Sequence, residues 1–225
     1  MPHYLVDKLI RTRRRTLELQ ITPMATVIVR APKHTPVEII HKFIDRKSKW
    51  IINKQSFIQA NLSKRTEHCY ESGEKFSYLG QKYGLTIVPE QKQKIMFNGY
   101  EFLLSAKNKH HGKKIFEKWY RAEAYRTIKE RVAYFANITG LYPGGIKITG
   151  AKKRFGSCSP HNDLCFTWRL ILAPLSVIDY VVVHELAHLA ERNHSKRFWD
   201  KVRMYLPNYK EERNWLKSNS MMLSL

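Results

Sequence analysis

Two histidines and a glutamate stand at a spacing that suits metal chemistry. His184 and His188 are four residues apart, so in an α-helix they lie on the same face, separated by roughly 6 Å along the axis. Two imidazoles placed in this way can bind one metal ion. Glu185 lies beside them, where its carboxylate can reach a water held by that metal without displacing it. The pattern therefore predicts metal-assisted hydrolysis with Glu185 as the general base.

A third histidine follows after a polar segment. His194 lies six residues beyond His188, too far along to share its helical face, and residues 191–193 between them are polar enough to form a turn. A third ligand from such a turn leaves the fourth tetrahedral position to water, as a catalytic zinc site requires. We therefore expect one Zn²⁺ per chain, bound by His184, His188 and His194.

The residues before the histidines indicate which element positions them. Residues 178–183 form a nearly continuous apolar run, as expected for a helix buried in a domain. A β-strand is the competing assignment for the valines in this run, but Pro174 and Ser176 upstream favour the start of a helix. The alternative to a metal site, histidines that merely belong to a packed core, is less consistent with this context.

Several further motifs accompany the histidines. They are Arg-Phe-Gly-Ser-Cys-Ser at 154–159, Trp-Arg-Leu-Ile-Leu-Ala-Pro at 168–174, Asn-His-Ser at 193–195 and Phe-Trp at 198–199, with residues 13–17, 29–32, 47, 50–51 and 78–80 upstream. Over nearly its whole length the chain thereby resembles the YgjP-like predicted metal-dependent hydrolases. The resemblance implies the same zinc ligands and the same base. The chain departs from the family pattern at Phe155, where Trp is usual, and at residues 165–167, where Asn is common before the Trp; neither departure touches the ligands.

The elements around the histidine helix have an informative order. Residues 113–138 show helical periodicity, and three short β-type runs follow at 146–149, 154–158 and 164–170. A helix, a small antiparallel sheet and a helix with paired histidines resemble the core of zincin metallopeptidases. We therefore expect an α+β fold with a zincin-like catalytic domain at 106–225. An exposed edge of its sheet would orient the substrate. The apolar stripe of the first helix is predicted at Ile115, Trp119, Ala122, Tyr125, Ile128, Val132 and Phe135.

Residues 1–105 are expected to form a β-rich accessory region with one long helix. Alternating apolar residues at 16–21 and 27–29 predict a β-hairpin, and Pro36 marks the start of a helix that runs to Leu62. Further β-type segments span residues 70–105, where Asn98-Gly99 is the strongest hairpin signal in the chain. No catalytic motif lies in this region.

The chain is strongly basic. Its 225 residues include 40 Lys and Arg against 19 Asp and Glu, which gives a net charge of +21. Such a surface attracts polyanions, and nucleic acid is the commonest polyanion in a cytoplasm. The basic residues are dispersed along the sequence, however, as in an ordinary solvated surface. Charge alone therefore leaves non-specific nucleic-acid binding open.

Cysteine usage and the absence of targeting signals favour a cytoplasmic enzyme. Three cysteines cannot form a fully paired disulfide framework, which suits a reducing compartment. No signal peptide or apolar run of membrane-spanning length is evident, and nothing indicates an oligomeric state. Cys158, His161 and Cys165 match no zinc-knuckle spacing, and His110-His111 among lysines is typical of a solvated loop.

The function predicted most directly is that of a zinc peptidase acting on a protein or peptide substrate. A weaker likeness to the SprT-like and WLM proteases, which act on proteins attached to DNA, suggests proteolysis near nucleic acid. One alternative is a zinc-stabilised nucleic-acid-binding module without hydrolysis, but such a module has no need of Glu185. Another is a zinc amidohydrolase on a non-peptide amide, which the sequence does not distinguish from a peptidase.

Two supporting roles have several candidates each. Arg154, Arg169 and Tyr209 are candidates for stabilising the oxyanion that forms during hydrolysis. Asp179 and Asp200 could orient a ligand imidazole.

Overall fold

Two compact units, each with its own hydrophobic core, make up the chain. The computed structural model describes residues 6–22, 24–62 and 68–223. The N-terminal unit comprises residues 1–66 and the C-terminal unit residues 67–225.

In the N-terminal unit, a three-stranded sheet packs against one long helix. Every second residue of the central strand is buried, namely Val27, Val29 and Ala31, and these side chains share a core with isoleucines of the helix. The predicted hairpin is confirmed as β2 and β3, and the predicted helix as α1. A further strand, β1, was not predicted because its residues are mostly exposed and polar; it pairs in parallel with β3. The bounds are β1 Lys8–Thr12, β2 Glu18–Ile21, β3 Val27–Pro32 and α1 Val37–Leu62.

The C-terminal unit begins with a four-stranded sheet in the order β4-β5-β7-β6. Its strands are β4 Lys75–Tyr78, β5 Gln81–Val88, β6 Ile95–Phe97 and β7 Glu101–Ser105. The predicted hairpin at Asn98-Gly99 is confirmed between β6 and β7. Asn98 Oδ1 accepts hydrogen bonds from the backbone N–H groups of Tyr100 and Glu101 at 2.9 Å, and Gly99 has a φ of 96°.

This sheet shares its core with the helices that follow it. Phe76 of β4 stacks on Phe116 with ring centroids 4.1 Å apart, and Phe102 of β7 lies 5.2 Å from the same ring. The expected domain boundary at 105/106 therefore falls inside a single unit. The sequence showed a change from β-type to helical periodicity at that point, but a change of secondary structure does not separate two cores.

The first helix of this unit, α2, spans Gly112–Thr139 as the periodicity predicted. The predicted apolar stripe is partly wrong, because Ala122 and Tyr125 are exposed. The buried face instead repeats every four residues, and it includes Phe116, Tyr120 and Ala124. The sequence offers aromatic residues on both faces, so tertiary packing decides which of them is buried.

A second, smaller sheet connects α2 to the histidine helix. Its strands are β8 Gly145–Thr149, β9 Gly156–Cys158 and β10 Asp163–Thr167, in the order β8-β10-β9. β9 and β10 form an antiparallel hairpin, but β8 runs parallel to β10. The sheet is therefore mixed and not antiparallel as expected, because residues 150–155 carry the chain past β10 to its far side. Residues 168–170 belong to a 3-10 helix and not to the third strand.

His184 and His188 lie in the C-terminal half of α3, which spans Leu175–Ala190. A helix over the valine run is thus confirmed. Two contacts fix this helix. Arg131 of α2 forms a bidentate ion pair with Asp179, in which Nε lies 2.5 Å from Oδ1 and Nη2 lies 2.9 Å from Oδ2. The turn between β4 and β5 packs on Pro174, so closely that a Cβ on Gly80, whose φ is 81°, would lie 2.7 Å from the proline Cγ.

Two short helices, α4 Lys196–Tyr205 and α5 Tyr209–Asn219, complete the unit. The helix, sheet and helix order expected of a zincin-like core is thus present as α2, β8–β10 and α3. Among the helices of the described residues, none is both long and apolar enough to cross a membrane.

Candidate metal centre

The structure brings the three predicted histidines together. His184 and His188 extend from one face of α3, and His194 returns from the segment that joins α3 to α4. Their ligand nitrogens all lie within 4.8 Å of one another, and Nε2 of His184 is 3.0 Å from Nε2 of His194. No other cluster of three or more potential metal ligands occurs among the residues that the structure describes. Cys158, His161 and Cys165 accordingly form no second site there.

The end of α3 orients one of the imidazoles. The helix ends at Ala190, and Nδ1 of His188 lies 3.0 Å from the backbone carbonyl oxygen of Glu191. A carbonyl only accepts hydrogen bonds, so Nδ1 carries the proton and the lone pair of Nε2 is free for a metal. Ser195 then caps the next helix by accepting a hydrogen bond from the N–H of Phe198, and the polar turn predicted at residues 191–193 is confirmed.

An aromatic layer from α4 lies behind the histidines. The Phe198 ring is fully buried, and its centroid is 4.5 to 4.9 Å from those of all three imidazoles. Trp199 stacks on His194 at 5.7 Å and on Tyr209 at 5.5 Å. The Phe-Trp pair therefore positions the histidines and shields them on one side from water.

This environment favours the neutral form of His184 and His188. Burial, together with the neighbouring histidines and Arg213, lowers the pKa of His184 to about 3. Burial also lowers the pKa of His188. Neutral imidazoles are the form that binds metals. The convergent nitrogens of the three histidines, the oriented tautomer of His188 and the lowered pKa values of His184 and His188 fit a divalent metal bound by nitrogen atoms.

Glu185 is buried next to this cluster. Its side chain is only 5% exposed, and Oε2 has no hydrogen-bond partner among the described residues. Burial raises the pKa of Glu185 to about 7, although the charge of Arg154 opposes the shift. A carboxylate with a pKa near neutrality can accept and release a proton at physiological pH.

A glycine of the small sheet permits this placement. A Cβ on Gly156, in strand β9, would lie 2.6 Å from Cγ and 2.7 Å from Cδ of Glu185 and would also collide with Oε1. Any side chain at this position would displace the carboxylate. β9 is an edge strand, since it pairs with β10 alone among the described strands, so the glutamate packs on a strand whose other edge is free.

One further residue, which the sequence did not reveal, joins the histidine segment to this sheet. Arg192 donates to the carbonyl oxygens of Ser159 at 2.7 Å and Pro160 at 3.4 Å, contacts Cys158 Sγ at 3.2 Å, and hydrogen-bonds Asn162 Oδ1. These partners lie about 30 positions upstream in the sequence, so no local pattern could have indicated them. Arg192 therefore anchors the segment that carries His194.

The remaining sequence candidates have varied environments. Asp179 pairs with Arg131 and Asp200 with Arg203, so the structure gives neither a ligand imidazole as partner. Arg169 donates to the carbonyl oxygen of Gly150 at 3.0 Å, which indicates a structural role.

Two of the oxyanion candidates remain close to the site. Arg154 is exposed and near enough to Glu185 for its charge to lower that pKa. Tyr209 is buried, and it stacks on Trp199 and on Tyr180. No sequence pattern indicated a role for Arg213, whose guanidinium lies 4.6 Å from the Trp199 ring and whose charge lowers the pKa of His184.

A helix with paired histidines, a buried glutamate and a sheet edge beside it define a metal-dependent hydrolase of the metallopeptidase class. The chain belongs to the YgjP-like family, whose metallopeptidase-domain model matches residues 15–219. Membership supports a metal-dependent peptidase and implies a divalent metal. The roles of the individual histidines and of Glu185 stay predictions at this point.

Two solved structures are similar over part of the chain. The metallopeptidase zymogen abylysin of Pyrococcus abyssi is 20% identical, covers 41% of this chain and 93% of its own, and has a TM-score of 0.39. The metallopeptidase zymogen jannalysin of Methanocaldococcus jannaschii is 20% identical, covers 41% of this chain and 95% of its own, and has a TM-score of 0.38. Among curated proteins, none matches this chain.

Proposed function

We propose that this protein is a zinc peptidase in which His184, His188 and His194 bind one Zn²⁺ and Glu185 is the general base. Three imidazoles without a thiolate form a donor set that zinc uses in catalytic sites. Zinc bound in this way supplies Lewis acidity, which polarises a scissile carbonyl and acidifies water.

The burial of Glu185 carries the proposal. A buried carboxylate with an unpartnered oxygen is costly, and a purely structural metal site has no use for it. In hydrolysis, Glu185 would take the proton of the attacking water and deliver it to the leaving amine. Burial favours the protonated form of Glu185, which the group must hold between the two steps.

The substrate we propose is an extended segment of a protein or peptide. The free edge of β9 offers backbone N–H and C=O groups, and an extended chain can pair with them as an added strand. Since Gly156 of this strand touches Glu185, a segment paired there would run past the base. Arg154, one residue before Phe155 at the entrance to β9, is our candidate for stabilising the oxyanion.

The test compares the wild-type protein with Glu185→Gln. This change keeps the shape of the side chain and leaves the histidines in place, so we expect about one zinc per chain and at least a hundredfold loss of hydrolysis. Glu90→Gln makes the same chemical change at an exposed position outside the histidine cluster and should retain activity. Zinc is measured by mass spectrometry, and cleavage is measured on unfolded casein and on a peptide library by identification of the products.

Several results would contradict the proposal. Glu185→Gln with activity within a few fold of wild type would rule out its role as the base. Full activity after removal of zinc by a chelator would rule out a role for the metal in hydrolysis. Cleavage of simple amides without cleavage of any peptide would indicate an amidohydrolase, and binding of zinc without any hydrolysis would indicate a structural module.

A further inference from the structure

The N-terminal unit carries a disproportionate share of the positive charge. Residues 1–66 include fourteen Lys and Arg but only four Asp and Glu, a net charge of +10 out of +21 for the whole chain. The candidate metal centre lies entirely in the C-terminal unit. Hydrolysis therefore does not account for this concentration of charge.

Part of the charge surrounds a pocket. The loop that follows β1 and the loop that joins β3 to α1 border an open depression of about 620 Å³, lined by residues 12–15, 32–36 and Ile39. Arg13, Arg14, Arg15 and Lys33 are among the residues that line it, so four basic side chains border the depression. No Asp or Glu is among the lining residues. The pocket therefore presents charge of one sign.

The cations of the pocket are mostly unneutralised. Arg14 is paired with Glu18. Arg13, Arg15 and Lys33 are exposed, and no acidic partner for them is found in the part of the chain that the structure describes. Like charges held close together repel one another, and an anionic ligand relieves that repulsion.

The pocket is built into the fold and is not a chance gap between side chains. Arg11, near the end of β1, donates to the carbonyl oxygens of Pro32 at 3.0 Å and Thr35 at 2.5 Å, so it joins β1 to the end of β3 and the loop that follows. Thr12 Oγ1 and Arg14 Nε in the wall are shielded from water and lack hydrogen-bond partners among the described residues. Both are hydrogen-bond donors that find no acceptor among the described residues.

The first turn of α1 completes the wall. The helix is 26 residues long and starts at Val37, directly after the lining residues Thr35 and Pro36. The unpaired N–H groups at a helix N-terminus favour an anion, and they add to the cations already there.

We propose that this pocket binds phosphate groups of a nucleic-acid backbone. Clustered arginines with hydrogen-bond donors match phosphate oxygens. A polymer is favoured over a free phosphate because exposed basic residues continue beyond the pocket along α1, at Lys42, Arg46 and Lys49. A polyanion reaches both sets of charges at once, whereas a single phosphate occupies only the pocket. This inference does not depend on the proposed peptidase activity.

The test measures binding of the full chain to fluorescently labelled single-stranded RNA and duplex DNA by anisotropy, at several salt concentrations. The pocket variant carries Arg13→Ala, Arg15→Ala and Lys33→Ala. A control variant with Lys82→Ala, Lys92→Ala and Lys118→Ala removes the same charge from exposed sites of the C-terminal unit. We expect the pocket variant to lose at least tenfold in affinity at about 100 mM salt and the control less than threefold.

The salt dependence provides a second readout. The slope of log affinity against log salt should be about two to three units shallower in the pocket variant. Each phosphate contact releases counterions when the complex forms, so a complex with fewer contacts releases fewer of them. Circular dichroism melting checks that the variants fold. Should the triple variant unfold, Arg15→Ala alone is expected to reduce the slope by about one unit.

Three outcomes would overturn the proposal. An equal loss of affinity in both triple variants would show that binding follows the overall charge and not the pocket. Absence of binding by the wild-type protein would show that nucleic acid is not the ligand of the pocket. Complete displacement of the nucleic acid by 10 mM inorganic phosphate at constant ionic strength, about the level of a modest buffer, would assign the pocket to free phosphate.

Discussion

The substitution Gly156→Ala tests the placement of the proposed base most sharply. The added methyl group would lie 2.6 Å from Cγ and 2.7 Å from Cδ of Glu185, whereas carbon atoms in contact normally lie about 3.5 to 4.0 Å apart. The carboxylate must therefore retreat by about 1 Å. A displacement of that size in a catalytic group costs about a hundredfold in rate. The clash is also expected to cost about 1 to 3 kcal/mol of stability.

Gly84→Ala is the matched control. Gly84 also lies in a strand of the C-terminal unit, but nothing lies within 4 Å of the position its Cβ would take. Turnover of unfolded casein, zinc content and melting temperature are compared for both variants. We expect Gly156→Ala to retain zinc and to lose activity, and Gly84→Ala to retain both.

A double-mutant cycle isolates the contact. In a Glu185→Ala background the partner of the clash is absent, so Gly156→Ala should cost far less stability than it does in the wild type. Wild-type turnover by a folded, zinc-loaded Gly156→Ala protein would refute the reasoning. It would show that the position of the Glu185 carboxylate next to Gly156 does not matter for proton transfer. An equal stability cost in both backgrounds would show that the two residues are not in contact.

Three further predictions concern the ligands, their support and the pH dependence of stability. His194→Ala should lose most of the bound zinc by mass spectrometry, whereas His161→Ala, an exposed histidine outside the cluster, should keep it; full occupancy in His194→Ala would move the third ligand elsewhere. Arg192→Ala frees the segment that carries His194 and should weaken zinc affinity about 10- to 100-fold in a chelator competition, while Arg203→Ala, which breaks only an exposed pair, should not. In metal-free protein, burial raises the pKa of Glu185 from 4.5 to about 7, so its contribution to stability is present below pH 4.5 and is lost as the pH rises through 7. Glu185→Gln does not titrate, and its stability relative to wild type should therefore increase by up to about 3 kcal/mol between pH 5 and pH 8.5 in thermal melts with a chelator; a constant or decreasing difference would contradict the shift.

The sequence predicted local features well, since helical spacing depends only on neighbouring residues. The i, i+4 relation of His184 and His188 and the turn before His194 follow from the chain itself, and the elements that carry them are present. The contacts that support the site join distant residues, as with Arg192 and the β9–β10 turn or Gly156 and Glu185. No periodicity records such contacts.

Packing explains the other differences. The buried face of α2 depends on which neighbours cover it, and Tyr125 and Phe116 are equally plausible core residues until the sheet is known. The domain boundary was misplaced for the same reason, because Phe76 and Phe102 belong to the core of the helices that follow them. Periodicity identifies elements, but the choice of partners is a property of the whole unit.

The shortness of β9 has a consequence for which proteins this enzyme would cleave. A strand of three residues is about 10 Å long and can pair with only about three residues of an added chain. Those bonds involve the backbone, which every sequence offers, so they discriminate little between side chains. A segment inside a helix or a central strand of a folded protein has its backbone bonds already satisfied and is not free to pair. We therefore expect the enzyme to select substrates by their folding state. It should cleave proteins that are locally unfolded and leave native proteins intact.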